Sequence, residues 1–162
     1  MFAAERPSGT VAEIYRELLL QARGIFAGER DPIANAANLA SLIYHGLDDL
    51  NWVGFYFLKG GELVLGPFQG KPACVRIPIG KGVCGTAAAR RETVIVPDVE
   101  EFPGHIPCDS ASRSEIVIPL MKNSYITGVL DVDSPNVNRF DEDDRRGLES
   151  LVMLWLDASN PV

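Results

Sequence analysis

Ser114-Glu-Ile-Val-Ile-Pro-Leu-Met-Lys-Asn-Ser-Tyr-Ile-Thr-Gly-Val-Leu-Asp-Val-Asp-Ser134 holds two runs rich in β-branched residues with a few polar residues between them. The runs, Glu115 to Lys122 and Ile126 to Val132, read as strands. The link from Lys122 to Ile126 is far too short for a parallel crossover, so the two must pair as an antiparallel hairpin. Upstream, Trp52-Val-Gly-Phe-Tyr-Phe-Leu58 is aromatic and β-branched, Lys59-Gly60-Gly61-Glu62 is a turn, and Leu63-Val-Leu65 follows, which makes a second hairpin. Cys74 to Pro78 and Thr93 to Val96 are further strand candidates. Between them, Gly80-Lys-Gly-Val-Cys-Gly-Thr-Ala-Ala-Ala-Arg90 reads as a glycine-rich turn feeding a short helix.

Helical patterns flank these strands. Thr10-Val-Ala-Glu13 has the spacing of a capping box, and Ile14, Leu18, Leu19, Ala22 and Ile25 follow at helical intervals. Asp31-Pro32 sets an N-cap before a proline at the first helical position, ahead of the apolar face Ala34, Ala37, Leu39, Leu42, Ile43 and Leu47. Asp141-Glu-Asp-Asp144 puts acidic residues at the positive end of a last helix that continues through Leu148, Leu151, Val152 and Trp155. Strands grouped between helices predict an α+β domain with a mainly antiparallel central sheet of five to six strands, covered by helices from both chain ends. At 162 residues and 46% hydrophobic content, the chain is expected to form one domain over 1–162, with 1–9 as a flexible N-terminal segment.

A net charge of −7 argues against nucleic acid or an anionic membrane as partner, since both attract Lys and Arg. No apolar run approaches the roughly 20 residues that span a bilayer. The start MFAAERPSGT has neither a basic opening nor an apolar core, so the expected protein is soluble and cytoplasmic. In that reducing compartment, Cys74, Cys84 and Cys108 point to thiol redox chemistry in preference to structural disulfides. A zinc site built on the three, with His105 as a fourth ligand, is the weaker reading. Zinc ligands usually come in close pairs, whereas nine and twenty-three residues separate these cysteines. On spacing alone the expectation is therefore no metal.

In Val129-Leu-Asp-Val-Asp-Ser134, alternation puts Asp131 and Asp133 on one face of the strand and Leu130 and Val132 on the other. Two carboxylates held together either raise one pKa or await a cation such as a ligand ammonium. The plainer alternative is a solvated sheet face. Glu115 opens the partner strand and could join them, although the pattern leaves its register open.

Asn51-Trp-Val-Gly-Phe-Tyr56, Ile79-Gly-Lys-Gly-Val-Cys-Gly85, Val96-Pro-Asp-Val99, His105-Ile-Pro-Cys-Asp109, Ser114-Glu-Ile-Val-Ile-Pro119 and Gly128-Val-Leu-Asp-Val-Asp-Ser134 together resemble the GAF-domain free methionine-(R)-sulfoxide reductases. The likeness runs from about Ala34 to Trp155 and includes the order and spacing of the three cysteines. The resemblance implies that a cysteine thiolate attacks the sulfur of free methionine-(R)-sulfoxide and becomes a sulfenic acid. A second thiol then condenses with it, and a thioredoxin-type dithiol reduces the resulting disulfide. It further implies that Glu115, Asp131 and Asp133 line the pocket, one donating a proton to the sulfoxide oxygen and the others holding the substrate ammonium. Trp52 and Tyr56 are candidates for the wall around the S-methyl group, the alternative being ordinary core.

The attacking thiol is less readily assigned. Cys108 is the first choice, in a proline-bounded loop beside His105 and near Arg113, where a cation could favour the thiolate. Cys84, between glycines near a helix N-terminus, is also placed to favour a thiolate; it is assigned the resolving role but stays open as the nucleophile. Cys74 is the third candidate, or simply a small apolar strand residue. By the resemblance, the outer pair Cys74 and Cys108 should be able to bridge. The competing reading is a sensor module that binds a cyclic nucleotide or similar small molecule without chemistry; against it, the chain ends about seven residues after Trp155, which leaves no room for an output domain. A dimerisation role for the terminal helices is compatible with the enzyme, and a homodimer acting in recovery from oxidative stress is expected.

Overall fold

The computed structural model describes residues 4–162. Two helices come first, α1 (Val11–Phe26) and α2 (Pro32–Gly46), then strands β1 (Trp52–Lys59), β2 (Glu62–Gly70) and β3 (Arg76–Pro78), and helix α3 (Gly82–Arg90). Strand β4 (Val94–Val96), a 3-10 turn at Val99–Glu101, strands β5 (Ser114–Lys122) and β6 (Tyr125–Ser134), and helix α4 (Glu142–Ala158) complete the chain. The strands form one sheet in the order β3-β2-β1-β6-β5-β4, with every neighbouring pair antiparallel.

The helix starts follow from their caps. Thr10 and Glu13 close a reciprocal capping box on α1, Asp31 accepts from the Ile33 and Ala34 amides at the start of α2, and Asp141 with Asp144 forms a second capping box on α4. The β1–β2 turn uses Gly60 and Gly61, both at positive φ, as a tight hairpin twisted with its strands requires. Strand β2 runs to Gly70, well past the expected Leu65. Gly66 and Pro67 break its alternation, and a bulge opposite Phe55 absorbs them.

Alternation along the strands divides the interior in two. Val53, Phe55, Phe57, Ile116, Ile118, Leu120, Leu130 and Val132 face α1, α2 and α4 and form the larger core with Leu18, Leu39, Ile43, Leu151 and Trp155. Burying each large side chain of this kind is worth about 1.5–3 kcal/mol. Trp52, Tyr56, Val117 and Val129 face the other way, toward α3 and its loops. The expected cover of helices from both chain ends thus lies on one face only, and the second face is left to a short helix and irregular chain.

Residues 4–9 form neither helix nor strand, but Arg6 pairs with Asp48, and the Glu5 carbonyl accepts from Gln21 Nε2 at 2.8 Å. Residues 1–3 of the expected flexible segment lie outside the described residues.

Candidate active site

On the α3 face, β-sheet register brings three carboxylates together. Glu115 stands directly opposite Asp133, and Val117 opposite Asp131, so Glu115 is the diagonal neighbour of Asp131. On the other side of β6, Gly54 pairs with Asp131 and Trp52 with Asp133. A side chain at Gly54 would collide with the Trp52 ring, so the glycine keeps that ring flat against the sheet beside the carboxylates. Glu115, Asp131 and Asp133 are 6%, 7% and 8% exposed, which rules out a solvated sheet face.

Helix α3 delivers the first cysteine. Gly82 opens it at positive φ against Ile106, and a Cβ at Gly85 would strike the Pro78 carbonyl, so these glycines let the helix start lie close on β3. Cys84 then points into the carboxylate cluster, its thiol donating to Glu115 Oε1 at 3.9 Å. The helix N-terminus favours a thiolate there, but burial and the charges of Asp131, Glu115 and Asp133 push the Cys84 thiol well above its ordinary pKa. The helix start made Cys84 a thiolate-favouring position in the sequence; in the fold, burial first and then the three nearby carboxylates outweigh that helix-end partial charge.

Cys108 and Cys74 are joined by a disulfide with Cα atoms 5.4 Å apart, and Cys84 is the free, buried thiol. With both outer cysteines in that bond, Cys84 alone of the three keeps a thiol in this form. The group among the described residues with donor atoms close enough to hold a cation is Cys84, Glu115 and Asp131, all within 4.8 Å of one another.

The loop carrying Cys108 is fixed from several directions. The Cys108 amide donates to the Ile106 carbonyl at 2.9 Å, and the Arg113 amide to Ser134 at 2.7 Å. Asn51 Nδ2 donates to Asp109 Oδ2 at 3.1 Å and to Ser112 Oγ at 3.0 Å. His105 Nε2 lies 3.9 Å from Glu115 Oε2, and partial burial lowers the His105 pKa, which favours neutral imidazole. Arg113 is turned to Asp98 and Glu100. Neither residue is the free cation expected beside Cys108, because each has partners or burial of its own.

Burial pushes Glu115 well above the carboxylate range, with Asp131 and Asp133 adding to the effect. Burial and the Asp131 charge raise Asp133, against a lowering hydrogen bond from Ser112. Burial raises Asp131 to about 6, held down by Cys84 and Glu115. Burial and the crowding of charges thus favour the protonated form of each floor carboxyl relative to an exposed one.

The family model for the GAF domain matches residues 34–155. The free methionine-R-sulfoxide reductase of Escherichia coli is 52% identical over 140 residues, 86% of this chain and 85% of its own. That of Saccharomyces cerevisiae is 47% identical over 150 residues, 88% of this chain and 83% of its own. The chain belongs to the GAF-domain family of free methionine-R-sulfoxide reductases. The Neisseria meningitidis reductase, solved in complex with its substrate, superposes with a TM-score of 0.93 at 44% identity over 98% of this chain and 95% of that one.

Against this family fold, the cavity of the disulfide form is small. About 30 Å³ is enclosed by Cys84, Cys108, Glu115, Asp131 and Asp133 with the apolar side chains Ile77, Val83 and Ile106, room for about two waters and too little for an amino acid. Trp52 and Tyr56 do not line it. They lie buried beneath the Cys74 segment, Trp52 Nε1 donating to the Lys71 carbonyl at 3.0 Å and Tyr56 Oη to the Cys74 carbonyl at 2.9 Å. Trp52 also stacks on Phe68 and on Tyr56, with ring centroids 5.4 and 5.9 Å away. Asn51, Asp109 and Ser112 are site residues that sequence reading did not single out. The Asx turn in Asp109-Ser-Ala-Ser112, where Asp109 Oδ1 accepts from the Ala111 amide, was the available signal.

Proposed function

We propose that this protein, acting as one domain, reduces free L-methionine-(R)-sulfoxide to L-methionine. The observation that carries the reading is a Cys74–Cys108 bridge whose Cys108 end borders a cavity shared with the buried Cys84, Glu115, Asp131 and Asp133. In the reduced protein the Cys74 segment is free to leave Trp52 and Tyr56, which opens an aromatic wall for the S-methyl group. The Cys108 thiolate attacks the sulfoxide sulfur, Glu115 protonates the oxygen, methionine leaves, and Cys108 becomes a sulfenic acid. Asp131 and Asp133 hold the substrate ammonium. Cys74 attacks the Cys108 sulfur and water departs, which leaves the disulfide seen here, and a thioredoxin-type dithiol restores both thiols. Cys84, which the sequence reading made the resolving thiol, instead donates its S–H to the floor. The cycle calls for neither metal nor bound cofactor.

A cyclic nucleotide suits this pocket poorly, since its phosphate would meet three carboxylates. A cytoplasmic setting and a role in recovery from oxidative stress belong to this reading; no helix among the described residues is long and apolar enough to cross a membrane. Leu20 and Met153, each 56% exposed on α1 and α4, support a homodimer through those helices.

Methionine released per chain, without reductant, tests the chemistry. Pre-reduced wild type and Cys74→Ser should each release about one equivalent, and Cys108→Ser none. A full equivalent from Cys108→Ser would sink the assignment of the nucleophile.

A further inference from the structure

The two sulfurs of the bridge face different surroundings. Cys108 lines the carboxylate-floored cavity, whereas Cys74 does not; it lies in the segment between β2 and the edge strand β3. The stretch Lys71-Pro-Ala-Cys-Val-Arg-Ile-Pro-Ile-Gly-Lys81 carries three basic residues and no acidic one, in a chain of net charge −7. Lys71, Arg76 and Lys81 are all exposed. Val75, next to Cys74, is 64% exposed and Ile79 is 38% exposed, two of the larger apolar side chains that the fold leaves in solvent. The main chain beneath this surface is pinned through its carbonyls: Lys71 and Cys74 accept from Trp52 and Tyr56, and Val75 accepts from the Leu65 amide at 3.0 Å. The result is a firm, basic, partly apolar ledge around one sulfur of a redox disulfide.

We propose that this ledge, Lys71 to Lys81 with Val75 at its centre, is the docking surface for an acidic protein dithiol, and that the partner's thiolate attacks Sγ of Cys74. The inference rests on the redox cycle proposed above and adds the place and direction of the recycling step. An incoming thiolate is an anion. On its inner side Cys108 borders the space of about 30 Å³ floored by Glu115, Asp131 and Asp133, whereas Cys74 lies in a segment that carries exposed Lys71, Lys81 and Arg76, the last paired with Glu62 at 3.3 Å. Exposed Val75 and Ile79 offer the apolar contact that the rim of a protein dithiol needs, and the lysines steer the encounter.

The chemistry balances in two exchanges. The partner thiolate forms a bond to Cys74 Sγ, the Cys74–Cys108 bond breaks, and Cys108 departs with the electron pair as the thiolate that attacks the next sulfoxide. The partner's second thiol then loses its proton and attacks its own bridged sulfur, and Cys74 leaves as a thiolate and takes up a proton. Two electrons pass from the partner dithiol to the enzyme disulfide, and the partner ends as a disulfide.

Steady-state turnover supported by thioredoxin, compared with turnover supported by dithiothreitol, tests this, with Lys71→Glu/Lys81→Glu and Val75→Asp as variants. Lys81 makes no side-chain cap bond on α3, so its replacement leaves the helix start intact. The expected result is a KM for thioredoxin raised about fivefold or more in each variant, with dithiothreitol-supported turnover within about twofold of wild type. Wild-type KM should rise with salt, and that of the charge-reversal variant should not. Unchanged thioredoxin KM in both variants, or equal losses with both reductants, would overturn the docking surface. A second experiment needs no sulfoxide and so does not depend on the reductase reading. Thioredoxin lacking its second cysteine should trap a mixed disulfide that peptide mapping finds on Cys74, and a trap on Cys108 would overturn the direction of attack. Absence of any dithiothreitol-driven turnover in wild type would count against the proposed function, while the trap still decides the docking.

Discussion

The two faces of the sheet are made from the same strands and do opposite work. Toward α1, α2 and α4, Leu130, Val132, Ile116 and Phe55 are completely buried among apolar neighbours. One residue along in each strand, Asp131, Asp133, Glu115 and Gly54 face α3 and build a polar floor that raises its own pKa values. A slip of one residue in β6 would put two carboxylates into the main core and two aliphatics into the pocket. The apolar face therefore supplies the stability that lets the other face keep three crowded carboxylates and a thiol out of water.

If that division is right, substitutions on the two faces should separate cleanly. Cys108→Ser should cut turnover by at least about a thousandfold, roughly 4 kcal/mol in the barrier, with Tm of the reduced protein unchanged. Phe55→Ala removes a ring packed 5.2 Å from Trp155 and 6.0 Å from Phe57. It should cost about 3–5 kcal/mol by denaturant unfolding while kcat at 15 °C stays within about twofold. A large loss of kcat without loss of stability would erase the division.

Asp131→Asn should do the reverse. With its pKa raised to about 6 in the fold, Asp131 binds its proton more tightly folded than unfolded, so stability falls as pH rises from about 4 through 6. Replacing it should stabilise the protein at pH 8 by on the order of 3 kcal/mol and raise KM for the sulfoxide. A destabilised Asp131→Asn protein would contradict this. Above the raised pKa of Glu115, kcat/KM should fall about tenfold per pH unit, and Glu115→Gln should lose that alkaline limb together with most of the rate. The smallest effect is expected at Asn51, which ties the Cys108 loop to β1 through two hydrogen bonds. Asn51→Ala should slow single-turnover methionine release about fivefold and move stability by about 1 kcal/mol, measured by stopped-flow and by urea unfolding.

Much of this layout can be read from the sequence wherever the signal is local. Thr10 with Glu13 and Asp31 with Pro32 announce their helices, and the alternation in Val129 to Asp133 puts both aspartates on one face. The register of Glu115 is not local. It is set by Asn123 and Ser124, both at positive φ without a glycine to betray the turn, and by an irregularity between Leu120 and Met121. The state of Cys84 is equally hidden: its helix N-terminus is visible in the sequence, but the carboxylates that overrule it come from β5 and β6, at least 31 positions away. The family likeness makes Trp52 and Tyr56 candidates for the pocket wall, with ordinary core as the alternative, and in this structure neither lines the cavity: both lie under the Cys74 segment, held by hydrogen bonds from their polar tips.

The most direct test of the central claim is methionine release from the R and S epimers of free L-methionine sulfoxide with dithiothreitol as reductant. The account predicts sustained turnover of the R epimer, none of the S epimer, and none of either in Cys108→Ser. No turnover of the R epimer by fully reduced wild-type protein, or equal rates with Cys108→Ser, would contradict it.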